Sequence, residues 1–425
     1  MLYDIAFLIF SLFYLPALIF KGKMHADFGE RFGKYSEDKR KALASSKGAI
    51  WIQAVSVGEV AVCRELIGSI KARFPDRRII VSTITKAGND LAKKLYGAGG
   101  VVVIYLPLDL SRVVRKVASL IDPSLYVMVE TELWPNMIRE MSRRKVPSCL
   151  VNGRISDRSF GKYMMARRFL SAVLGKIDVF CMQSAADADR IKAMGAPAEK
   201  VAVTGNMKFD AEPKADEALL EHMRESIGMA PGGRLLAAGS IHPGEERPIL
   251  EAYTELKKEF TDLKIALAPR HVEKFPYFES VVKSGFGLTP SLFSRPVDGP
   301  QEERVTIIDK IGHLTELYAL ATVVFIGGSL VRHGGQNPLE AAVFEKPVIF
   351  GPHMFNFRDI SEALLTSGGA ILVNDAPEML SAIRDMLLDD DRRRGTGQKA
   401  RQALVARRGA TERNLKELIK LIAYN

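Results

Sequence analysis

Residues 323–342 read VVFIGGSLVRHGGQNPLEAA, and this stretch decides the fold. A β-branched apolar run ends in Gly327-Gly328, a second glycine pair follows at Gly334-Gly335, and Asn337-Pro338-Leu339-Glu340 opens an apolar segment with helical spacing. Glycine has no Cβ, so a backbone turns sharply there and approaches a ligand closely. Asn as N-cap, Pro at the first helical position and Glu at the third form a helix start. A helix N-terminus beside a glycine loop, at the carboxyl end of a strand, is where α/β sheets bind nucleotides. The segment predicts an α/β domain and the place of its ligand.

Outward from it, short apolar strands alternate with helical stretches. The first half offers AIWIQAVS, RRIIVSTIT, VVVIYLPL, SLYVMVE, SCLVNGR, VFCMQS and VAVTGN; the second offers RLLAAGS, LKIALAPR, RVTIID, VVFIGGS, PVIFGPH and AILVND. Such alternation predicts parallel, doubly wound sheets. One open sheet rarely exceeds about ten strands, so the pattern predicts two Rossmann-like domains facing a central cleft. The polar stretch DAEPKADEALLE (210–221) is the connection. The expected division is an N-terminal apolar segment over 1–20, one domain over 21–209 and another over 210–425. The basic, amphipathic final helices from Asp389 onward are expected to pack across the junction.

At 425 residues the chain exceeds a single domain of about 150. Cys63, Cys149 and Cys181 each lie in an apolar run with no pairing or metal spacing, which predicts buried thiols in a reducing compartment. The net charge of +10 calls for an anionic partner. No nucleic-acid module is recognisable and aromatics do not interleave with the basic clusters, so nucleic acid is excluded in favour of a membrane surface or an anionic substrate. Residues 1–20 carry a single charge, Asp4, and Lys21 and Lys23 follow at once. A signal peptide needs positive charge before its apolar run and a small-residue cleavage site after it. This run has neither. It has about the minimum length for a spanning helix and is interrupted by Pro16. A short anchor, an interfacial helix and a buried core helix stay open. Lys21, Lys23, Arg31 and Lys34 place the rest in the cytoplasm by the positive-inside rule.

Several side chains at strand ends are candidates for chemistry. Ser56-Val57-Gly58-Glu59 follows a strand and opens a helix. It reads as a capping box, and equally as a general base if burial raises the Glu59 pKa toward the working pH. Glu130, in ETELWP (130–135), follows a fully apolar strand, and Lys208 follows VAVTGN. Each is a solvated or helix-start charge or part of a site. In the second half, the loop 239–245 (GSIHPGE) leaves one strand and Pro269-Arg270-His271 ends the next. Arg270 can grip a phosphate with a bidentate geometry that lysine lacks. Glu340, a capping glutamate by position, can also accept bonds from ribose hydroxyls. Asp187-Ala188-Asp189 has a spacing some transferases use for a divalent ion, but it lies in a polar helical stretch and reads as solvated. Asp389-Asp390-Asp391 beside Arg392 reads as a charged helix end. The seven histidines show no HExxH pattern. No metal and no cofactor are expected.

Taken in order, the motifs resemble those of the 3-deoxy-D-manno-octulosonic acid (Kdo) transferase family of lipopolysaccharide synthesis. The resemblance runs through GERFG (29–33), SVGE (56–59), ETELWPN (130–136), NGRISDRS (152–159), KFD (208–210), PRH (269–271), GGSL and GGQNPLEAA within 327–342, and GPHMFNF (351–357). It implies a GT-B fold with acceptor binding in the N-terminal half and CMP-Kdo in the C-terminal half. It also implies an N-terminal membrane-anchor helix at the bacterial inner membrane, catalytic domains on the cytoplasmic side, and a lipid A precursor as acceptor. By the same resemblance Glu59 is the proton acceptor, and Glu130 and Lys208 stabilise the transition state. Pro269, Arg270, Ile311, Gly312, His313, Asn337, Pro338, Leu339 and Glu340 match the CMP-binding segments. The family often has Met-Gly-Glu where this chain has Ile311-Gly312-His313, so a carboxylate contact to CMP is absent there. Two other readings remain: a GT-B transferase or epimerase acting on a UDP-sugar, and a membrane-tethered nucleotide-binding scaffold without activity.

Overall fold

Strands buried on both faces must be apolar along their whole length, and the runs of this chain meet that demand. The computed structural model describes residues 3–5, 7–8, 26–296 and 303–423. Residues 1–211 and 407–425 form one compact unit, and residues 212–406 a second.

In the first unit, seven parallel strands are β1 (Ile50–Gln53), β2 (Ile79–Thr83), β3 (Val102–Tyr105), β4 (Leu125–Val129), β5 (Ser148–Gly153), β6 (Val179–Met182) and β7 (Val201–Val203). Their order is β3-β2-β1-β4-β5-β6-β7. This is the doubly wound Rossmann order with one strand added at the edge, and the order reverses between β1 and β4. Side chains alternate across the sheet, so Trp51 and Tyr126 enter one apolar layer while Ile50, Ile52 and Val127 enter the other.

The second unit repeats the plan with β8 (Leu235–Ile241), β9 (Lys264–Pro269), β10 (Thr289–Leu292), β11 (Arg304–Ile307), β12 (Val323–Ile326), β13 (Val348–Phe350) and β14 (Ala370–Leu372). The order is β10-β11-β9-β8-β12-β13-β14, again all parallel, with the reversal between β8 and β12. Strand β10 was not among the expected strands. Its sequence TPSL holds a proline and no apolar run, which an edge position tolerates.

The expected division counted everything after residue 209 with the second half, whereas the helix Ala410–Ala423 rejoins the first unit. Ala410, Leu415 and Leu418 are buried in that unit's core. The Asp210 carboxylate accepts from Gly409 N at 2.7 Å and Thr411 N at 2.5 Å. Asn414 donates to Thr204 Oγ1 at 3.0 Å and accepts from Asn152 N at 3.3 Å.

The N-terminal apolar segment lies outside the described residues except for 3–5 and 7–8. Among the described residues no helix is long and apolar enough to cross a membrane. Asp4, the one charge of that run, accepts from Ser111 N (3.0 Å), Ser111 Oγ (2.6 Å) and Asn136 Nδ2 (2.7 Å). The charge is there because it is bonded to the first unit.

Candidate active site

In each unit the strand order reverses at a point where loops part and leave a crevice at the carboxyl ends of the strands. In the first unit that point is flanked by the loops after β1 and β4. The loop after β1 turns into the helix Val57–Arg73, with Ser56 in an extended conformation as N-cap. Ser56 Oγ accepts from Glu59 N at 3.3 Å and donates to Glu59 Oε1 at 2.8 Å. The other carboxylate oxygen accepts from Val55 N at 2.7 Å. The capping box is real, and it leaves Glu59 only 6% exposed. Burial, then the like charges of Glu130 and Glu132, push its pKa up to about 7. A helix cap that titrates near neutrality has a second use: half-ionised at physiological pH, it accepts a proton readily.

The loop after β4 supplies the two neighbouring carboxylates. Glu130 has φ of +57°, a left-handed conformation rare for a side chain with a Cβ. The sheet enforces it, because Glu130 N still donates to Val151 O at 3.0 Å. Strain of this kind collects at functional positions. Glu130 Oε1 lies 3.3 Å from Lys208 Nζ. Lys208 is held in turn by its neighbours: Met207 and Phe209 are buried, Lys208 N donates to Asn206 Oδ1 at 2.9 Å, and Met207 N donates to Asn152 Oδ1 at 2.9 Å. Asn152 occupies a bulge in β5, again with positive φ (+52°). Glu132 accepts from Trp134 Nε1 at 2.9 Å, and its carbonyl accepts from Gln53 Nε2 at 3.2 Å. Burial raises its pKa, with Glu130 adding to the effect. The structure thus joins Glu59, Glu130 and Lys208 in one region. It adds Glu132, which the sequence showed only as a second acid in ETELWP.

The sign of the pH dependence follows. A raised pKa means that Glu59 keeps its proton below about pH 7 and loses it above, where the carboxylate is free to accept one from the substrate. Turnover by this base rises with pH through that value. Glu132→Gln removes one of the like charges, so the acidic limb of a kcat/KM profile moves to lower pH. An unmoved limb separates Glu132 from the titration.

In the second unit the corresponding loops follow β8 and β12. Glu245 is fully buried and joins them. Its Oε2 accepts from His242 N (2.9 Å) and Gly328 N (2.6 Å), and its Oε1 from Ser329 N (2.9 Å) and Leu330 N (3.0 Å). Nothing in the sequence separated Glu245 from Glu246 beside it, because three of its four partners lie more than 80 residues further along the chain. Ser240 sits in a bulge of β8 with φ of +54°. Gly327 is required by contact: a Cβ there would lie 2.4 Å from Ile241 Cα.

Pro269 ends β9, and Arg270 N donates to Ile241 O at 2.9 Å, with its side chain exposed. Glu340 is pushed up in pKa by burial, partly offset by its bond from Asn337 Nδ2 (3.3 Å) and by the Arg270 charge. The helix expected to open at Asn337 is a single turn, Leu339–Ala342. Asn337 Oδ1 accepts from Leu339 N at 3.2 Å, two residues on, and the chain turns at Glu345 toward β13 before a second helical turn can form. A helix macrodipole needs several aligned peptides, so the helix N-terminus expected at this point brings only the short turn's own N–H groups to a ligand. Pro338 and Leu339 are buried in that turn. Ile311 is 85% exposed and Gly312 has φ of +95°. His313 turns inward, its ring 4.8 Å from that of Phe293. Asp187, expected to be solvated, is buried and accepts from Ile155 N (2.7 Å) and Ser184 Oγ (2.5 Å), a structural role.

Comparison with known proteins gives the family and the fold. Residues 26–211 match the model of a family described as 3-deoxy-D-manno-octulosonic-acid transferase (kdotransferase). The chain is 32% identical over 395 residues to the 3-deoxy-D-manno-octulosonic acid transferase of Haemophilus influenzae, covering 92% of this chain and 90% of that one. It is 32% identical over 369 residues to the enzyme of the same name from Chlamydophila psittaci, covering 86% and 84%. Among solved structures, a UDP-N-acetylglucosamine 2-epimerase superposes with a TM-score of 0.61 at 12% identity, over 89% of this chain and 97% of that one. That likeness concerns the fold alone.

Proposed function

The chain belongs to the 3-deoxy-D-manno-octulosonic acid (Kdo) transferase family, and from that premise we propose that it moves Kdo from CMP-Kdo to a lipid A precursor on a GT-B scaffold, with inversion and without a required metal. The observation that carries the reading is Glu59, a buried carboxylate at the reversal point of the first sheet, with a pKa raised to about 7. It takes the proton from an acceptor hydroxyl as that oxygen attacks the anomeric carbon of Kdo. The bond from that carbon to the phosphate breaks on the opposite face, and CMP leaves with the electron pair. Positive charge developing on the sugar is favoured by a fixed carboxylate such as Glu130, which lies 3.3 Å from Lys208 Nζ. Arg270 is suited to the phosphate, since a guanidinium donates in a planar fork that matches phosphate oxygens.

The apolar run before residue 21, the lysines after it and the net charge of +10 support an enzyme held at the anionic inner-membrane surface, its catalytic units in the cytoplasm. The test is direct. The full chain, incubated with CMP-Kdo and a lipid A precursor in mixed micelles, yields lipid carrying added Kdo by mass spectrometry. Recovery of unmodified lipid overturns the reaction, and tighter binding of UDP than of CMP overturns the donor.

A further inference from the structure

Three histidines that the reaction above does not use come together at the reversal point of the second sheet. His242 follows β8, His271 follows β9 and His333 lies in the loop after β12, and these three strands are neighbours in the order β9-β8-β12. The His333 ring stacks on that of His242 with centroids 4.1 Å apart and planes within 11°. His271 presents its ring at 5.9 Å and 83°. Gln336 Nε2 lies 3.5 Å from His242 Nε2.

The arrangement is built rather than incidental. Gly335 N donates to Gly328 O at 2.8 Å, closing the loop that carries His333. Both glycines have positive φ, and a Cβ on Gly335 would lie 2.2 Å from Met354 Sδ. His242 is almost fully buried and fixed by Glu245, whereas His333 and His271 are exposed.

The charges around His242 are one-sided. Besides the two other histidines, Arg270 and Lys274 disfavour a proton on it, and with burial as the main cause its pKa falls to about 4. The nearby carboxylates are committed elsewhere: Glu245 to four backbone N–H groups, Glu246 to Gly244 N and Tyr277, and Glu273 to His271 Nδ1 at 3.5 Å. At the buried ring of His242, with Arg270 and Lys274 nearby, the local charge is therefore positive. A metal does not suit this place, because stacked rings turn faces rather than lone pairs toward each other. Among the described residues no group of three or more His, Cys, Asp or Glu is arranged to hold a metal ion.

We propose that His242, His333 and His271, together with Arg270, form an oxyanion site that holds the phosphate or the sugar-acid carboxylate of the donor. The inference rests on reading the second unit as the donor half. An oxyanion arriving beside the stack supplies negative charge next to the His242 ring, which takes up a proton as the ligand binds. The resulting charge-assisted hydrogen bonds are the strong kind.

The test uses the full chain and its His333→Phe variant, which keeps a stacking ring but removes its hydrogen-bonding nitrogens. Calorimetric titrations near pH 6.5 with inorganic phosphate, cytidine, CMP and CMP-Kdo, in two buffers of different ionisation enthalpy, read affinity and proton uptake together. The variant is expected to lose roughly ten- to hundredfold in affinity for an anionic ligand, with cytidine unchanged. A loss that begins at CMP assigns the phosphate; one confined to CMP-Kdo assigns the carboxylate. Proton uptake on binding, seen with the wild type, should fall in the variant together with the affinity. Equal affinities for all ligands, or an equal loss for cytidine, overturn the site. Binding of inorganic phosphate that depends on His333, with no binding of cytidine nucleotides, keeps the site and overturns the donor reading instead.

Discussion

Glu59→Gln lowers Kdo transfer by roughly two to four orders of magnitude, the range a positioned general base supplies, while CMP affinity and thermal stability stay close to wild type. The substitution keeps the size of the side chain and one oxygen to accept from Val55 N or Ser56 Oγ, so the start of the helix Val57–Arg73 persists. What disappears is the group that titrates near neutrality. Rate assays with saturating donor and acceptor, beside a calorimetric CMP titration and a melting curve, separate the two roles. A variant with near-normal turnover reduces Glu59 to a cap. Lost turnover with lost stability would make the capping role the explanation.

Glu245→Ala is the substitution with the largest expected effect on stability. It removes the acceptor for four backbone N–H groups, from His242, Gly328, Ser329 and Leu330, in a fully buried place. Each buried donor left unpaired costs about 1–3 kcal/mol, and entry of water into the vacated space recovers part of that. A net loss of roughly 4 kcal/mol is expected, which lowers Tm by on the order of 10 °C for a unit of this size. Because the same carboxylate holds His242 N and the glycine loop, CMP binding should fall with it. A Tm within two or three degrees of wild type would show that other bonds hold the two loops together.

The sequence carried the fold well because parallel strands are covered on both faces and announce themselves as apolar runs. Each of the seven strands of the first sheet sits in such a run. Strand β10 does not, since an edge strand with Pro290 needs none. Caps were legible too, as with Ser56 and Glu59, because a cap is a local bond between residues three apart. Lengths were not. Asn337-Pro338-Leu339-Glu340 has the letters of a long helix, and the space before β13 admits one turn. The chemistry of the site was legible in part. SVGE, ETE and KFD each marked a strand end, but the raised pKa of Glu59 comes from its burial and then from Glu130 and Glu132, which only the adjacency of β1 and β4 brings near. Asp187 and Glu245 were opaque for the same reason, since each has one partner three residues away but takes the rest by tertiary placement.

The helix Ala410–Ala423 has a consequence for synthesis. The first sheet is complete by Val203, yet Ala410, Leu415 and Leu418 belong to its core, and the Asp210 carboxylate takes its partners from Gly409 and Thr411. Roughly 200 residues of the second unit are translated in between. At about 5–20 residues per second that is about 10–40 s. For that interval the first unit waits on the ribosome with one apolar face uncovered, and its carboxylate Asp210 unpaired. The second unit, continuous in sequence from Glu212 to Ala406, finishes first although it is begun last.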